Sequence, residues 1–169
     1  MAGLVVIDLE RAADERGSFA RSFDAAEWEA RGMATCVAQC NLSWNAVRGT
    51  LRGMHFQAPP HEEAKLIRCS RGSIYDVAID LRPSSRTFRA WHGEELSADN
   101  GRMLFVPEGF AHGFLTLSDD SEVVYQMSSS YEPSAARGVR WNDPAFGIKW
   151  PESPAMVSSR DQSFPDFRW

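Results

Sequence analysis

The feature that most constrains this chain is a long series of short, strand-like segments separated by turn residues. From Thr35 onward these are Cys36 to Ser43, Thr50 to Gln57, Lys65 to Cys69 and Ile74 to Leu81. Arg89 to Leu96, Arg102 to Val106, Gly113 to Leu117 and Glu122 to Met127 continue the series. Tyr75, Val77, Ile79 and Leu81 alternate with Asp76, Ala78 and Asp80, the period of two that a strand requires. Arg82-Pro-Ser-Ser85 and Ser118-Asp-Asp-Ser121 read as inter-strand turns. Many short strands at fairly regular spacing predict an all-β sandwich or barrel.

Upstream, Leu4 to Leu9 and Ser18 to Phe23 read as strands around an Asp14-Glu-Arg-Gly17 turn. Asp24 to Arg31 reads as a short peripheral helix, capped by Asp24 and stopped by Gly32. After Tyr131 the chain turns rich in Pro, Ser and Trp, an irregular tail expected to wrap over the β-structure. No repeat or linker interrupts the 169 residues, so a single domain, 1–169, is expected. A net charge of −5 argues against nonspecific nucleic-acid binding. No apolar run approaches the roughly 20 residues of a membrane span, and Asp8, Glu10 and Arg11 break any early signal-peptide pattern. Cys36, Cys40 and Cys69 cannot all pair and lack zinc-ligand spacing. They are read as small core residues in a reducing, cytoplasmic setting.

Polar residues within these strands are the candidates for chemistry. Gly49 to Gln57 carries Arg52, His55 and Gln57 among Leu51, Met54 and Phe56. A buried polar group without a partner costs about 1–3 kcal/mol, and His is the side chain that titrates near neutrality. A solvated histidine on an exposed face is the plainer reading of His55. Lys65 shares a face with Ile67 and Cys69, so burial of that face would carry its ammonium inward, unless it snorkels at the rim. His112 enters a strand after a turn, and Tyr125 shares a face with Val123 and Met127; both residue types are often satisfied core groups. Arg16, Arg21, Arg48, Arg52 and Arg68 offer forks suited to phosphate oxygens, which suggests an anionic small substrate. Ordinary surface arginines are the alternative. Pro107-x-Gly-x-x-His112 matches the second signature of the cupin barrels, but the His-x-His of their first signature is reduced to His55, with Gly53 two positions earlier. A stable metal site usually wants three or more protein ligands. A cupin-like barrel without a catalytic metal is therefore expected.

Five stretches together carry a family resemblance: Leu51-Arg-Gly-Met-His-Phe-Gln57, Lys65-Leu-Ile-Arg-Cys69, Gly72 to Arg82, Pro107 to Phe114, and Arg140-Trp-Asn-Asp-Pro144. In order and spacing, from about Asp14 to Asp161, the chain resembles dTDP-4-dehydrorhamnose 3,5-epimerase. The resemblance implies an all-β, cupin-like jelly-roll barrel that is dimeric and exchanges N-terminal strands. It implies no cofactor and no metal, and inversion of C3, C5 or both in a nucleotide-diphosphate-linked 4-keto-6-deoxyhexose. The implied catalytic base is His55, oriented by Asp161; Lys65 would stand beside the developing enolate and Tyr125 would be the acid. Tyr131 and His112 would line the pocket, and Arg16, Phe19, Gln39, Asn41 and Arg52 would serve the nucleotide end. Where the family commonly has Phe-x-Glu, this chain has Phe19-Ala-Arg21, which adds Arg21 to the substrate-binding candidates. Arg52 and His55 have opposite parity on a regular strand, so both cannot point inward unless a bulge at Gly53 re-aims one of them; otherwise Arg52 serves the rim or a neighbouring subunit.

Such a residue set suits proton transfer beside a ketone: a cation for the enolate oxygen, a base on one face and an acid on the other. A keto-isomerase acting on a similar sugar and a noncatalytic sugar-nucleotide-binding barrel are the competing readings. The paired base and acid argue against the second.

Overall fold

The computed structural model of the chain describes residues 1–168. The N-terminal part holds β1 (Val5–Ile7), β2 (Ala12–Asp14), β3 (Gly17–Phe19) and helix α1 (Ala25–Ala30). The central series is β4 (Gln39–Asn45), β5 (Thr50–Gln57), β6 (Lys65–Arg71), β7 (Ser73–Asp80) and β8 (Trp91–Ser97). It continues through β9 (Met103–Val106), β10 (Phe110–Thr116) and β11 (Ser121–Met127). Short elements β12 (Ala136–Gly138), β13 (Met156–Val157) and α2 (Ser159–Gln162) punctuate the tail.

Two sheets pack face to face. One has the order β1-β9-β6-β11-β4, the other β12-β5-β10-β7-β8 with β13 added in parallel to β5. The architecture is the expected cupin-like, all-β jelly roll with two short helices. Its sheets remain separate ladders and do not close into one hydrogen-bonded cylinder. The inner faces share a core of Ile67, Leu104 and Val123 from the first sheet and Ile74, Ala78 and Phe114 from the second.

Both outer faces are covered as well. On the first sheet, Trp28 of α1 and Met33 pack on Leu66, Met103 and Phe105. Asp24 starts that helix by accepting from the backbone N–H groups of Ala26 and Glu27, and Gly32 follows its end at φ +70°. On the second sheet, Val139 and Phe146 of the tail cover Met54, Val77, Ile79 and Ala111. Burying such a side chain contributes about 1.5–3 kcal/mol, so the irregular tail is held by packing despite its lack of regular hydrogen bonding. With both of its faces covered, β7 turns Asp76 and Asp80 inward on the same side as Ile74 and Ala78; each is 0% exposed.

Expected and observed strands differ mainly at their ends. The segment expected over Ser18 to Phe23 is shorter and belongs to the β2–β3 hairpin, turned by Gly17 at φ +126°. The segment expected from Arg89 begins at Trp91, because Arg89 itself sits in a turn at φ +68°. The cysteine expectation holds only for Cys69, which is buried; Cys36 and Cys40 are exposed. Cys40 shares its side of edge strand β4 with exposed Leu42 and Trp44, and Cys36 precedes that strand.

Candidate active site

Between the sheets lies an open cavity of about 660 Å³. Its position follows from β5. On the neighbouring β10, His112 is opposite His55 and Phe114 is opposite Arg52, so β10 advances two residues while β5 advances three. This bulge is centred on Gly53, at φ +134°, where an added Cβ would come within 2.6 Å of the Gly113 Cα. Only glycine suits both that backbone and that contact. The extra residue cancels the parity difference, and Arg52 and His55 both line the cavity.

His55 is held by the tail. Its Nε2 lies 2.7 Å from Oδ1 of Asp161, while Oδ2 of Asp161 accepts from the Gly53 N–H at 3.2 Å. Ser158 caps α2 by accepting from the Asp161 N–H at 3.1 Å, and the Phe164 ring meets the imidazole edge-on. Burial alone would raise the Asp161 carboxyl, but His55, the Gly53 N–H and Ser158 hold it below the ordinary value. The side chain of Asp161 is 5% exposed and that of His55 is 40% exposed, so the anion is hidden while the imidazole faces the cavity. With Nε2 committed to Asp161, Nδ1 is the nitrogen free to meet a substrate proton.

Opposite stands the first sheet. Lys65 is 5% exposed, and its Nζ donates to the His55 carbonyl at 3.1 Å, a link from one sheet to the other. Glu63 approaches the same Nζ at 3.2 Å. Burial draws the Lys65 amine below the usual lysine value, while Glu63 and then Asp76 draw it back. Tyr125 faces Ile67 on β6 and Asn41 on β4. Burial, then the nearby Asp76 charge, pushes the Tyr125 phenol well above its usual value, partly opposed by Arg52. The phenol thus keeps its proton. The ring of His112 stands edge-on to Tyr125, with Nε2 at 2.7 Å from Oδ1 of Asp76.

At the mouth, Arg52 donates through Nε to Asn45 at 2.7 Å, and the Tyr131 backbone N–H donates to Gln39, drawing the Tyr131 loop over the cavity. The structure therefore gathers His55, Asp161, Lys65, Tyr125, His112, Gln39, Asn41, Arg52 and Tyr131 around one space. It places three candidates elsewhere. Arg16 pairs with Asp14 in the β2–β3 hairpin, Phe19 is exposed there, and Arg21 pairs with Asp24 at the start of α1. Arg48 is tied to Glu152 at the surface, and Arg68 has the exposed parity of β6, so of the five arginines only Arg52 reaches the cavity.

Sequence reading missed Asp76, Glu63 and Arg160, all close to the site. Asp76 could have been found by asking what balances a buried His112 and Lys65. Glu63 and Arg160 sit in short polar stretches without a distinguishing pattern.

A family model described as dTDP-4-dehydrorhamnose 3,5-epimerase matches residues 1–168. The chain belongs to that family. A dTDP-4-dehydrorhamnose 3,5-epimerase of Shigella flexneri is 44% identical over 157 residues, spanning 90% of this chain and 86% of the relative. A dTDP-4-dehydrorhamnose 3-epimerase of Streptomyces niveus is 38% identical, spanning 95% and 77%. The Bacillus anthracis 3,5-epimerase, solved with TDP and PPi bound, superposes with a TM-score of 0.93 at 40% identity, over 97% of this chain and 94% of that one. Members of this epimerase family are isomerases of deoxysugar biosynthesis, and the chain matches them along nearly its whole length.

Proposed function

We propose that the chain is a single epimerase domain that inverts C3, C5 or both of a nucleotide-diphospho-4-keto-6-deoxyhexose. The observation that carries this reading is the placing of His55 and Tyr125 on opposite sheets across one cavity, with Lys65 on its wall. His55 removes the proton beside the ketone through Nδ1. Asp161 stabilises the imidazolium that forms, and such a base contributes about 10²- to 10⁴-fold. Lys65, itself buried in the cavity wall, carries positive charge to the enolate oxygen. Tyr125 delivers a proton to the opposite face, and inversion results. Every step moves protons only, so the reaction asks for neither a redox cofactor nor a metal.

Arg52 and Arg160 at the mouth supply charge for the diphosphate, with Gln39 and Asn41 toward the nucleotide. The working unit in this reading is a homodimer, in which the β2–β3 hairpin of one copy and the chain just after it bring Arg16, Phe19 and Arg21 to the cavity of the other. Exposed thiols at Cys36 and Cys40 suit the reducing cytoplasm. Among the described residues no helix is long and apolar enough to cross a membrane.

Incubation with dTDP-4-keto-6-deoxyglucose in heavy water tests the reaction. Deuterium at C3, C5 or both, with inverted product, is the expected result and shows which centres turn over. A displaced carbonyl would instead indicate a keto-isomerase, and absence of exchange would indicate a binding protein.

A further inference from the structure

Lys65 is one of only two lysines in the chain, and it is the one that is buried. A buried ammonium is costly unless an anion stands beside it. Two anions face it: Glu63, from the chain just before β6, and Asp76, from β7. They are not equivalent. Asp76 gives Oδ1 to His112 at 2.7 Å and acts on Lys65 as a more distant charge. Glu63 bonds the Nζ directly at 3.2 Å, and its side chain is 9% exposed. The other titratable groups lining the cavity are His55 and Arg52 from β5, His112 from β10, Tyr125 from β11, Tyr131, and Arg160 and Asp161 of α2. The one carboxylate among them, Asp161, is engaged by His55 and the Gly53 N–H.

We propose that Glu63 is a positioning residue for the reaction: its carboxylate keeps the Lys65 amine protonated and fixed at the cavity wall where the enolate oxygen forms. The inference rests on the epimerase reading above and extends it to the residue that sets the charge state of Lys65. The Nζ is held from two sides, by the Glu63 carboxylate and by the His55 carbonyl. These two bonds leave the third ammonium hydrogen for the substrate oxygen. Without the carboxylate, burial acts on the amine with only Asp76 opposing it. The neutral amine gains population, and it offers the enolate no charge.

The small number of lysines makes the test direct. The chain is labelled with lysine carrying carbon-13 at Cε, and both lysines are titrated by nuclear magnetic resonance. Exposed Lys149 serves as the internal reference. In Glu63→Gln the Lys65 midpoint is expected to fall by roughly one to three pH units relative to the unsubstituted chain, with Lys149 unmoved. The alkaline limb of α-proton exchange with dTDP-4-keto-6-deoxyglucose should fall by the same amount. Glu63→Asp retains the charge and should titrate closer to the unsubstituted chain than to Glu63→Gln. An unchanged Lys65 midpoint in Glu63→Gln overturns the proposal. So does a shifted midpoint with an unmoved alkaline limb, or a Glu63→Asp chain that titrates like the glutamine variant. A chain that exchanges no deuterium at any pH, with Glu63 intact, overturns the epimerase reading itself and this inference with it.

Discussion

His55 is oriented by an anion 106 residues further along the chain, and the two meet only because the tail folds back over β5. Removal of the imidazole in His55→Ala is expected to abolish α-proton exchange while leaving nucleotide binding and the fold largely intact. Asp161→Asn keeps an imidazole in place but removes the charge that stabilises its protonated form, so exchange should fall less completely. Exchange rates read by nuclear magnetic resonance in heavy water check both. Wild-type exchange in His55→Ala would move the base elsewhere, with His112 the next histidine on the cavity wall. Tyr125 permits a finer separation. Phe fills the same space without the hydroxyl, so Tyr125→Phe should still lose a proton to His55 and regain one from the same side. Solvent deuterium should then enter the starting sugar faster than inverted product accumulates. If exchange and inversion fall by one common factor, Tyr125 is only structural, and Tyr131 or a water delivers the proton.

At the scale of elements, the two-sided cover of the second sheet explains both what was legible and what was not. β5, β6, β7 and β11 appear within about two residues of their expected ends, because alternation and turn residues mark them. Alternation alone could not tell which face of β7 looks inward, since both are buried, so Asp76 did not stand out as a site residue. The site histidine, lysine and tyrosine were visible as polar interruptions of apolar strands. Asp161 came from family resemblance alone: it lies in a four-residue helix with no periodic pattern to read. Asp80 shows what an inward carboxylate does for its element. It accepts from Arg82 at 2.8 and 2.9 Å, Ser85 at 2.6 Å and Thr87 at 2.7 Å, tying the β7–β8 connection together. Burial would raise its carboxyl, but these donors hold it well below the usual range. Its stabilisation is therefore complete above the ordinary carboxylate value near 3.8 and is lost as pH falls through the lower, folded value. Asp80→Asn should cost on the order of 3 kcal/mol near neutrality. The gap between the two chains should narrow steadily under acid conditions. Urea melts across that range check this, and a constant gap down to low pH would show that the charge of Asp80 is not what holds the turn.

On the scale of the whole molecule, the parts left over by one cavity suggest two copies. The β2–β3 hairpin is a two-stranded unit, and such ribbons are marginal unless they pack on something. Phe19 at the end of β3 is 74% exposed, Leu42 on edge strand β4 is 70% exposed, and Trp44 beside it is 56% exposed. An uncovered strand edge flanked by large apolar side chains invites pairing with a second chain. A homodimer is therefore expected in light scattering at micromolar concentration, and a monomer there would refute it. Complementation then asks whether the hairpin crosses between copies. A chain carrying His55→Ala has a dead cavity but an intact hairpin. A chain carrying Phe19→Ala and Arg21→Ala has an intact cavity but a damaged hairpin end and following segment. Each should be impaired as a homodimer. Once the two are unfolded together and refolded, mixed dimers contain one cavity whose base is intact and whose hairpin, supplied by the other copy, is also intact. Activity should rise well above the average of the two parents. If each hairpin instead served its own cavity, every mixed dimer would hold one site of each parental kind, and the mixture would show that average and no more.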